Sequence, residues 1–107
     1  MDKIERRYID WVKTGMNLQF LRNNDFNLRR KVCRELNLAK GECSGDCMKC
    51  RYEMDKSISR PELAQVFNVS ESVIFNWETG KTPVSIEDML FYCELSGAEL
   101  DSILVFE

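Results

Sequence analysis

Residues 59–81 read SRPELAQVFNVSESVIFNWETGK, a stretch that predicts two short helices joined by a tight turn. Ser59 suits the N-cap of the first helix, and Pro61 falls in its first turn, where a missing backbone N–H removes no hydrogen bond. Asn68 stands where the chain must turn, because asparagine tolerates the left-handed conformation. Gly80 then suits the end of the second helix.

The apolar residues of this stretch recur at helical spacing, which indicates one buried face on each helix. Ser70 suits the cap of the second helix, in which Ile74 and Trp77 are expected to face inward. Ala64 is small enough to let the two helices cross closely. Such a unit is a helix-turn-helix, a motif whose second helix can lie in a DNA major groove.

Residues 58–104 resemble, without a gap, the helix-turn-helix domains of the Cro and phage-repressor (XRE) family. The resemblance implies an all-α, lambda-repressor-like fold and a sequence-specific DNA-binding transcriptional regulator that acts as a dimer. The matching motifs are Leu63 with Ala64, Val69 with Ser70, I-x-x-W-E-x-G-K at 74–81, Pro83, the helical register of 90–97, and Leu100 with Asp101.

The resemblance extends to an earlier segment. Residues 14–22, for which Thr14 is the predicted helix cap, resemble the first helix of the family. In the family the next helix follows closely, whereas here residues 24–57 intervene. We therefore expect one domain over residues 1–107, in which 24–57 is a small metal-binding insertion between the first and second helices. The helix-turn-helix core would then be residues 14–22 and 58–107.

A second interpretation makes residues 28–38 the first helix and residues 1–24 an added arm. Residues 2–13 are predicted to form an amphipathic lead-in helix, which either packs on the core or serves as a partner-binding arm. Arg22 and Glu78 occupy positions that often pair in this family. The insertion interpretation therefore predicts a salt bridge between them.

The intervening segment holds four of the five cysteines, and their spacing is typical of a metal site. Cys33, Cys43, Cys47 and Cys50 are spaced C-x9-C-x3-C-x2-C, and the chain contains no histidine. Soft thiolates at this spacing suit tetrahedral zinc or, less favourably, an iron–sulfur cluster. Free or redox-active cysteines remain the alternative, because a cytosolic setting argues against structural disulfides.

The C-terminal half contains two further apolar features. Cys93 falls on a helical face with Ile86, Met89 and Leu90, so we expect a small buried core residue rather than a ligand. Residues 103–106 are four consecutive apolar residues that cannot all face one small core. Either some of them meet a second chain in a homodimer, or the tail folds back on its own domain.

The net charge of −3 hides an asymmetry. Residues 1–60 hold 14 of the 15 lysines and arginines and nine of the 18 acids, a net charge of +5. Residues 61–107 hold only Lys81 against nine acids, a net charge of −8. Because DNA-binding surfaces normally carry lysine and arginine, two interpretations remain. Either the N-terminal half supplies the phosphate contacts, or the domain has become a protein-interaction module.

Two classes of protein are disfavoured. No apolar run approaches the ~20 residues of a membrane span, and the N-terminus has no apolar signal region, so we expect a cytoplasmic protein with no membrane contact. The chain also has no histidine, no glycine-rich phosphate loop and no nucleophile paired with a base. We therefore do not expect an enzyme.

The resemblance implies the DNA contacts position by position. Asn76 can pair with adenine, Ser72 can bond either way, and Glu71 can accept from cytosine N4. Phe75 offers an apolar contact to a thymine methyl group or marks a protein contact. Family members often carry Arg or Gln where this chain has Glu71 and Phe75. Expected phosphate contacts, which position without reading sequence, are Arg60, Ser70, Thr79 and Lys81.

The leading hypothesis is therefore a dimeric regulator that binds double-stranded DNA and contains a structural zinc site. One alternative is a protein-interaction module on a helix-turn-helix fold. The other is a redox- or metal-responsive regulator that uses the cysteine cluster as its sensor.

Overall fold

The structure, a computed structural model, describes residues 6–38 and 57–107. Its regular structure over these residues is helical apart from one isolated β-bridge, so the predicted all-α class is confirmed. No helix in the described part of the chain is long and apolar enough to cross a membrane. The helices are α1 (Trp11–Asn24), α2 (Phe26–Leu38), α3 (Arg60–Phe67), α4 (Glu71–Thr79), α5 (Ile86–Ser96) and α6 (Leu100–Ile103).

Helix α1 begins earlier than the sequence predicts. Its N-cap is Asp10, whose carboxylate accepts a hydrogen bond from the Lys13 backbone N–H at 3.0 Å. The predicted cap, Thr14, lies inside α1 and is fully buried. Its Oγ1 accepts from the backbone N–H of Val105 at 3.0 Å instead. Asp10 and Thr14 are both suitable N-cap residues. The C-terminal tail binds the Thr14 hydroxyl, and Asp10 caps the helix.

The C-terminal tail folds back on its own domain. Ile9 and Phe106 form an antiparallel bridge, and residues 6–10 are not helical, so the predicted lead-in helix is wrong over these residues. The Asp10 N–H donates to the Val105 carbonyl at 2.7 Å, and the Glu107 N–H donates to the Tyr8 carbonyl at 3.0 Å. The tail therefore satisfies backbone groups of the segment before α1.

The segment containing α3 and α4 matches its sequence prediction closely. Ser59 caps α3 in a reciprocal arrangement with Glu62, and Asn68 ends it in the left-handed conformation with φ of 58°. Ser70 stands at the N-cap of α4, but its hydroxyl pairs with the Ser72 hydroxyl at 2.9 Å and does not cap the backbone. Gly80 ends α4 with φ of 77°.

An aromatic cluster centred on Phe67 forms the middle of the core. The Phe67 ring centroid lies 4.7 Å from that of Tyr92, 4.8 Å from that of Phe91 and 5.4 Å from that of Trp77. These rings join α3, α4 and α5, and they are surrounded by buried aliphatic side chains from α1, α2 and α6. The fully buried aliphatic residues include Leu18, Leu28, Val32, Leu63 and Ile74.

The backbones of α1 and α4 approach each other directly. A Cβ atom at Gly15 would overlap the Trp77 carbonyl oxygen and lie 2.6 Å from that of Glu78. A Cβ atom at Gly80 would lie 2.6 Å from the Cα atom of Val12. Glycine at both positions is what permits this close contact.

A buried ion pair also joins α1 to α4, and it confirms the predicted salt bridge between Arg22 and Glu78. The Arg22 Nε lies 2.6 Å from Glu78 Oε2, and its Nη2 donates to Oε1 at 3.1 Å. The Glu78 side chain is 1% exposed. The Arg22 Nη1 donates to the Ile58 carbonyl at 2.8 Å, and Arg60 Nε binds the same carboxylate at 3.0 Å.

Helix α2 lies in the sequence predicted to be the insertion, yet it contributes to the common core. Leu28 and Val32 are fully buried, and α2 packs against α5 and α3. The Lys31 Nζ donates to the Glu94 carbonyl at 2.6 Å, and the Asn27 Nδ2 donates to the Ser96 carbonyl at 3.4 Å. These two bonds hold α2 to the C-terminal end of α5.

The predicted buried face of α5 is partly wrong. Met89 is buried and Cys93 packs half-buried against the core, but Ile86 and Leu90 are exposed. The helix instead turns the row containing Met89 and Tyr92 toward the aromatic cluster. Residues 86 and 90 lie beside that row, one helical turn apart.

Candidate nucleic-acid interface

Helix α4 presents a mixed polar and aromatic outer face. Glu71, Ser72 and Phe75 are exposed, and Asn76 and Thr79 are partly exposed. Glu71, Phe75 and Thr79 are spaced four residues apart, so they form one row along the helix. All the predicted base-contacting residues therefore lie on the accessible side, opposite the buried residues, which are Ile74, Trp77 and Glu78.

The side chains of this face differ in how far their hydrogen-bonding groups are already engaged. The Thr79 hydroxyl donates to the Phe75 carbonyl at 2.8 Å, and the hydroxyls of Ser70 and Ser72 pair with each other at 2.9 Å. Within residues 6–38 and 57–107, nothing hydrogen-bonds to the side-chain amide of Asn76. Among the described residues, the two donors and the acceptor oxygen of this amide therefore make no hydrogen bond.

Two cations lie against the aromatic ring of this face. The Arg60 Cζ and the Lys81 Nζ are each 5.2 Å from the centroid of the Phe75 ring. Arg60 is the first residue of α3. Lys81 lies in the turn after α4, where its backbone N–H donates to the Asn76 carbonyl at 2.9 Å. We call Arg60, Phe75 and Lys81 the Phe75 cluster.

The sequence predicts Arg60 and Lys81 as phosphate contacts but does not predict their meeting at Phe75. Arg60 Nε is engaged by Glu78, and its side chain is 31% exposed. No helical period links residue 60 to residue 75. The contact arises because the left-handed turns at Asn68 and Gly80 fold both cations over the same helix. Local sequence carries no signal for it.

Of the four predicted metal ligands, only Cys33 lies among the residues that the structure describes. Cys33 lies on α2, half-buried, and its Sγ accepts from the Asn37 Nδ2 at 3.2 Å. Cys43, Cys47 and Cys50 lie outside the described residues. Over residues 6–38 and 57–107, no three acidic or cysteine side chains converge as metal ligands. Burial raises the pKa of the Cys93 thiol and so favours its neutral form.

Comparison of the chain with protein-family models, with curated proteins and with solved structures finds no match. The resemblance to the XRE family thus rests on the residues quoted above. Functional assignment depends on the geometry of α3, α4 and the Phe75 cluster.

Proposed function

We propose that this chain is a sequence-specific DNA-binding regulator in which α3 and α4 form a helix-turn-helix and α4 enters the major groove. The observation that supports this most is the outer face of α4. Its polar side chains stand at positions from which a recognition helix contacts base edges. Its opposite face is fixed to α1 by the ion pair of Glu78 and by the glycine contacts.

The cations of the Phe75 cluster support the same proposal. A helix in the major groove is bordered by phosphates on both sides, and those phosphates attract lysine and arginine. Lys81 directly follows the end of α4, and Arg60 begins α3. Both positive charges therefore lie beside the predicted base-reading face although the C-terminal half carries a net charge of −8.

In this proposal residues 14–22 and 58–107 form the core, and residues 24–57 are the insertion that resemblance implies. Helix α2, the first part of that insertion, packs against α5 and α3. The resemblance also implies a homodimer, whose paired recognition helices would contact the two half-sites of a two-fold operator one helical turn apart.

A protein-interaction module is the second candidate function, and a specific surface favours it. Val12, Met16 and Phe20 are 56%, 61% and 64% exposed, and their spacing of four residues makes an apolar row along α1. Exposed apolar rows mark interaction sites when they are contiguous. Failure of the protein to bind any duplex at low salt would transfer the assignment to this function.

The DNA-binding proposal makes a prediction about Asn76 and Lys81. Duplexes selected by the protein from a random-sequence library serve as the probe. Asn76→Ala should lose about 1–3 kcal/mol of discrimination at one base pair, because the amide contacts a base edge and therefore carries sequence information. Lys81→Ala should weaken all duplexes alike and lower the salt slope by about 1.

Binding isotherms at several salt concentrations measure both effects. Lys13→Ala, which removes an exposed lysine of α1, is the matched control and should leave affinity nearly unchanged. Equal loss of discrimination in Asn76→Ala and Lys81→Ala would contradict the assigned roles.

The cysteine spacing supports a zinc site as part of the proposal. Protein purified without chelator should contain about one zinc ion per chain and be colourless. Cys33→Ser should reduce the zinc content because it removes one of four thiolates, whereas Cys93→Ser should not. A brown sample absorbing near ~400 nm would indicate an iron–sulfur cluster instead. Metal-free protein whose DNA binding changes on oxidation would favour the redox-responsive regulator.

A further inference from the structure

The outer face of α1 has the composition of a protein interface. Val12, Met16 and Phe20, which we call the α1 row, are each more than half exposed. Charged residues make up 31% of the chain, but the 14 residues of α1 include only Lys13 and Arg22, and Arg22 is buried in its ion pair. Methionine and phenylalanine on a face depleted of charge are typical of the centre of an interface.

The C-terminal tail, the other segment considered for a dimer contact, is already occupied within its own domain. Ile103 is buried, and Leu104 and Val105 are half-buried against the core. The backbone N–H of Val105 also donates to the Thr14 hydroxyl of α1. Contact with a second chain through these residues would require the tail to leave its own domain.

Charge distinguishes the α1 row from the other exposed apolar pair, which lies on α5. Ile86 and Leu90 are exposed there, but α5 contains three acids and no lysine or arginine. Glu87 and Glu94 are exposed beside that pair, so contact between two copies through α5 would bring like charges together. The α1 row brings no acid to such a contact, and Lys13 is the one exposed charge of its helix.

We propose that the α1 row binds the α1 row of a second copy of this chain, with the two helices antiparallel about a two-fold axis at Met16. Such an interface uses the same patch on both copies. Antiparallel helices set Val12 of each copy against Phe20 of the other, so a small side chain faces a large one. Parallel helices would instead place the two Lys13 ammonium groups together. The inference rests on the proposed function only for the homodimer, because this contact requires no DNA.

The size of the row predicts a weak dimer. A stable interface buries about 800 Å² on each partner. One aromatic side chain supplies roughly 150–250 Å² when it is fully buried, and the three side chains of the α1 row are already partly covered. We therefore expect a monomer–dimer equilibrium with a Kd in the micromolar to millimolar range. Binding of two copies to adjacent half-sites would raise their effective concentration and favour the pair.

The test uses the full chain without DNA, in sedimentation equilibrium at concentrations up to about 1 mM. The wild type should shift from monomer to dimer as its concentration rises. Met16→Glu and Met16→Lys should each raise the dimer Kd at least about ten-fold, because two like charges then meet at the axis. An equimolar mixture of these two variants should dimerise again, since a glutamate then faces a lysine.

A variant of α5 is the matched control. Leu90→Glu introduces the same charge at an exposed apolar position of another helix, and it should dimerise like the wild type. Met16 and Leu90 both lie outside the core, so circular dichroism of all three variants should match that of the wild type.

Three results would overturn the inference. A wild type that stays monomeric throughout shows that the α1 row does not bind a second copy. A dimer that persists in Met16→Glu uses another surface. If both Met16 variants lose the dimer and the mixture does not restore it, Met16 of one copy does not face Met16 of the other. DNA binding is judged separately: it fails only if the protein selects no duplex, and a dimer restored by mixing would still stand.

Discussion

Replacement of Glu78 by alanine is expected to lower the free energy of unfolding by about 3–5 kcal/mol. The Glu78 carboxylate is 1% exposed and accepts hydrogen bonds from Arg22 and Arg60. Removing it leaves the guanidinium of Arg22, whose side chain is 9% exposed, without its counter-charge inside the protein. The cost arises mainly from that uncompensated charge and less from the loss of the pair itself.

Urea unfolding followed by tryptophan fluorescence measures the loss, since Trp77 lies beside Glu78 in the buried face of α4. Glu71→Ala is the matched control because it removes an exposed acid from the same helix, and it should change stability by less than about 1 kcal/mol. The double variant Arg22→Met with Glu78→Met should be more stable than Glu78→Ala, because no unpaired Arg22 charge remains. Similar losses in Glu78→Ala and Glu71→Ala would contradict a structural role for the ion pair.

Replacement of Gly80 by alanine is expected to destabilise the protein far more than the same replacement at Gly97. Both glycines end helices in the left-handed conformation, with φ of 77° and 76°. Each substitution should therefore cost about 1–2 kcal/mol for backbone conformation alone. At Gly80 the new Cβ would also lie 2.6 Å from the Val12 Cα, whereas at Gly97 its nearest neighbour is the Asn27 Nδ2 at 3.7 Å.

The difference between the two glycine variants isolates the contact between α1 and α4. Overpacking against backbone atoms should add about 1–3 kcal/mol at Gly80 and nothing at Gly97. Unfolding midpoints of both variants under the same conditions supply the comparison. Equal destabilisation would show that the conformational term dominates and that α1 can move away from α4 without loss.

Local signals explain why the segment of α3 and α4 could be predicted from sequence. Its caps are set by Ser59, Asn68 and Gly80, whose conformational preferences act within a few residues. The pair of Arg22 and Glu78 came from the resemblance, since nothing in the spacing of residues 22 and 78 indicates contact. The outward positions of the candidate site could also be predicted from local signals, because the helical period fixes them once the bounds of α4 are known.

Features set by distant parts of the chain could not be predicted. Two suitable caps compete at the start of α1, and the choice depends on the Thr14 hydroxyl binding the tail from Val105. The exposure of Ile86 and Leu90 depends on how α5 turns toward the aromatic cluster. The meeting of Arg60 with Phe75 requires the complete geometry of both turns. In each case tertiary contacts decide between conformations that the local sequence allows equally well.

The residues that attach α4 to α1 are different from the residues that α4 presents to a ligand. The stability of α4 comes from the inward side, through Glu78 and the glycine contacts at residues 15 and 80. Substitutions at Glu71, Ser72 or Phe75 change surface chemistry with little effect on these contacts. These three positions can accordingly diverge under selection faster than the rest of the domain. A library randomised at these three positions should therefore yield mostly folded variants with different binding preferences.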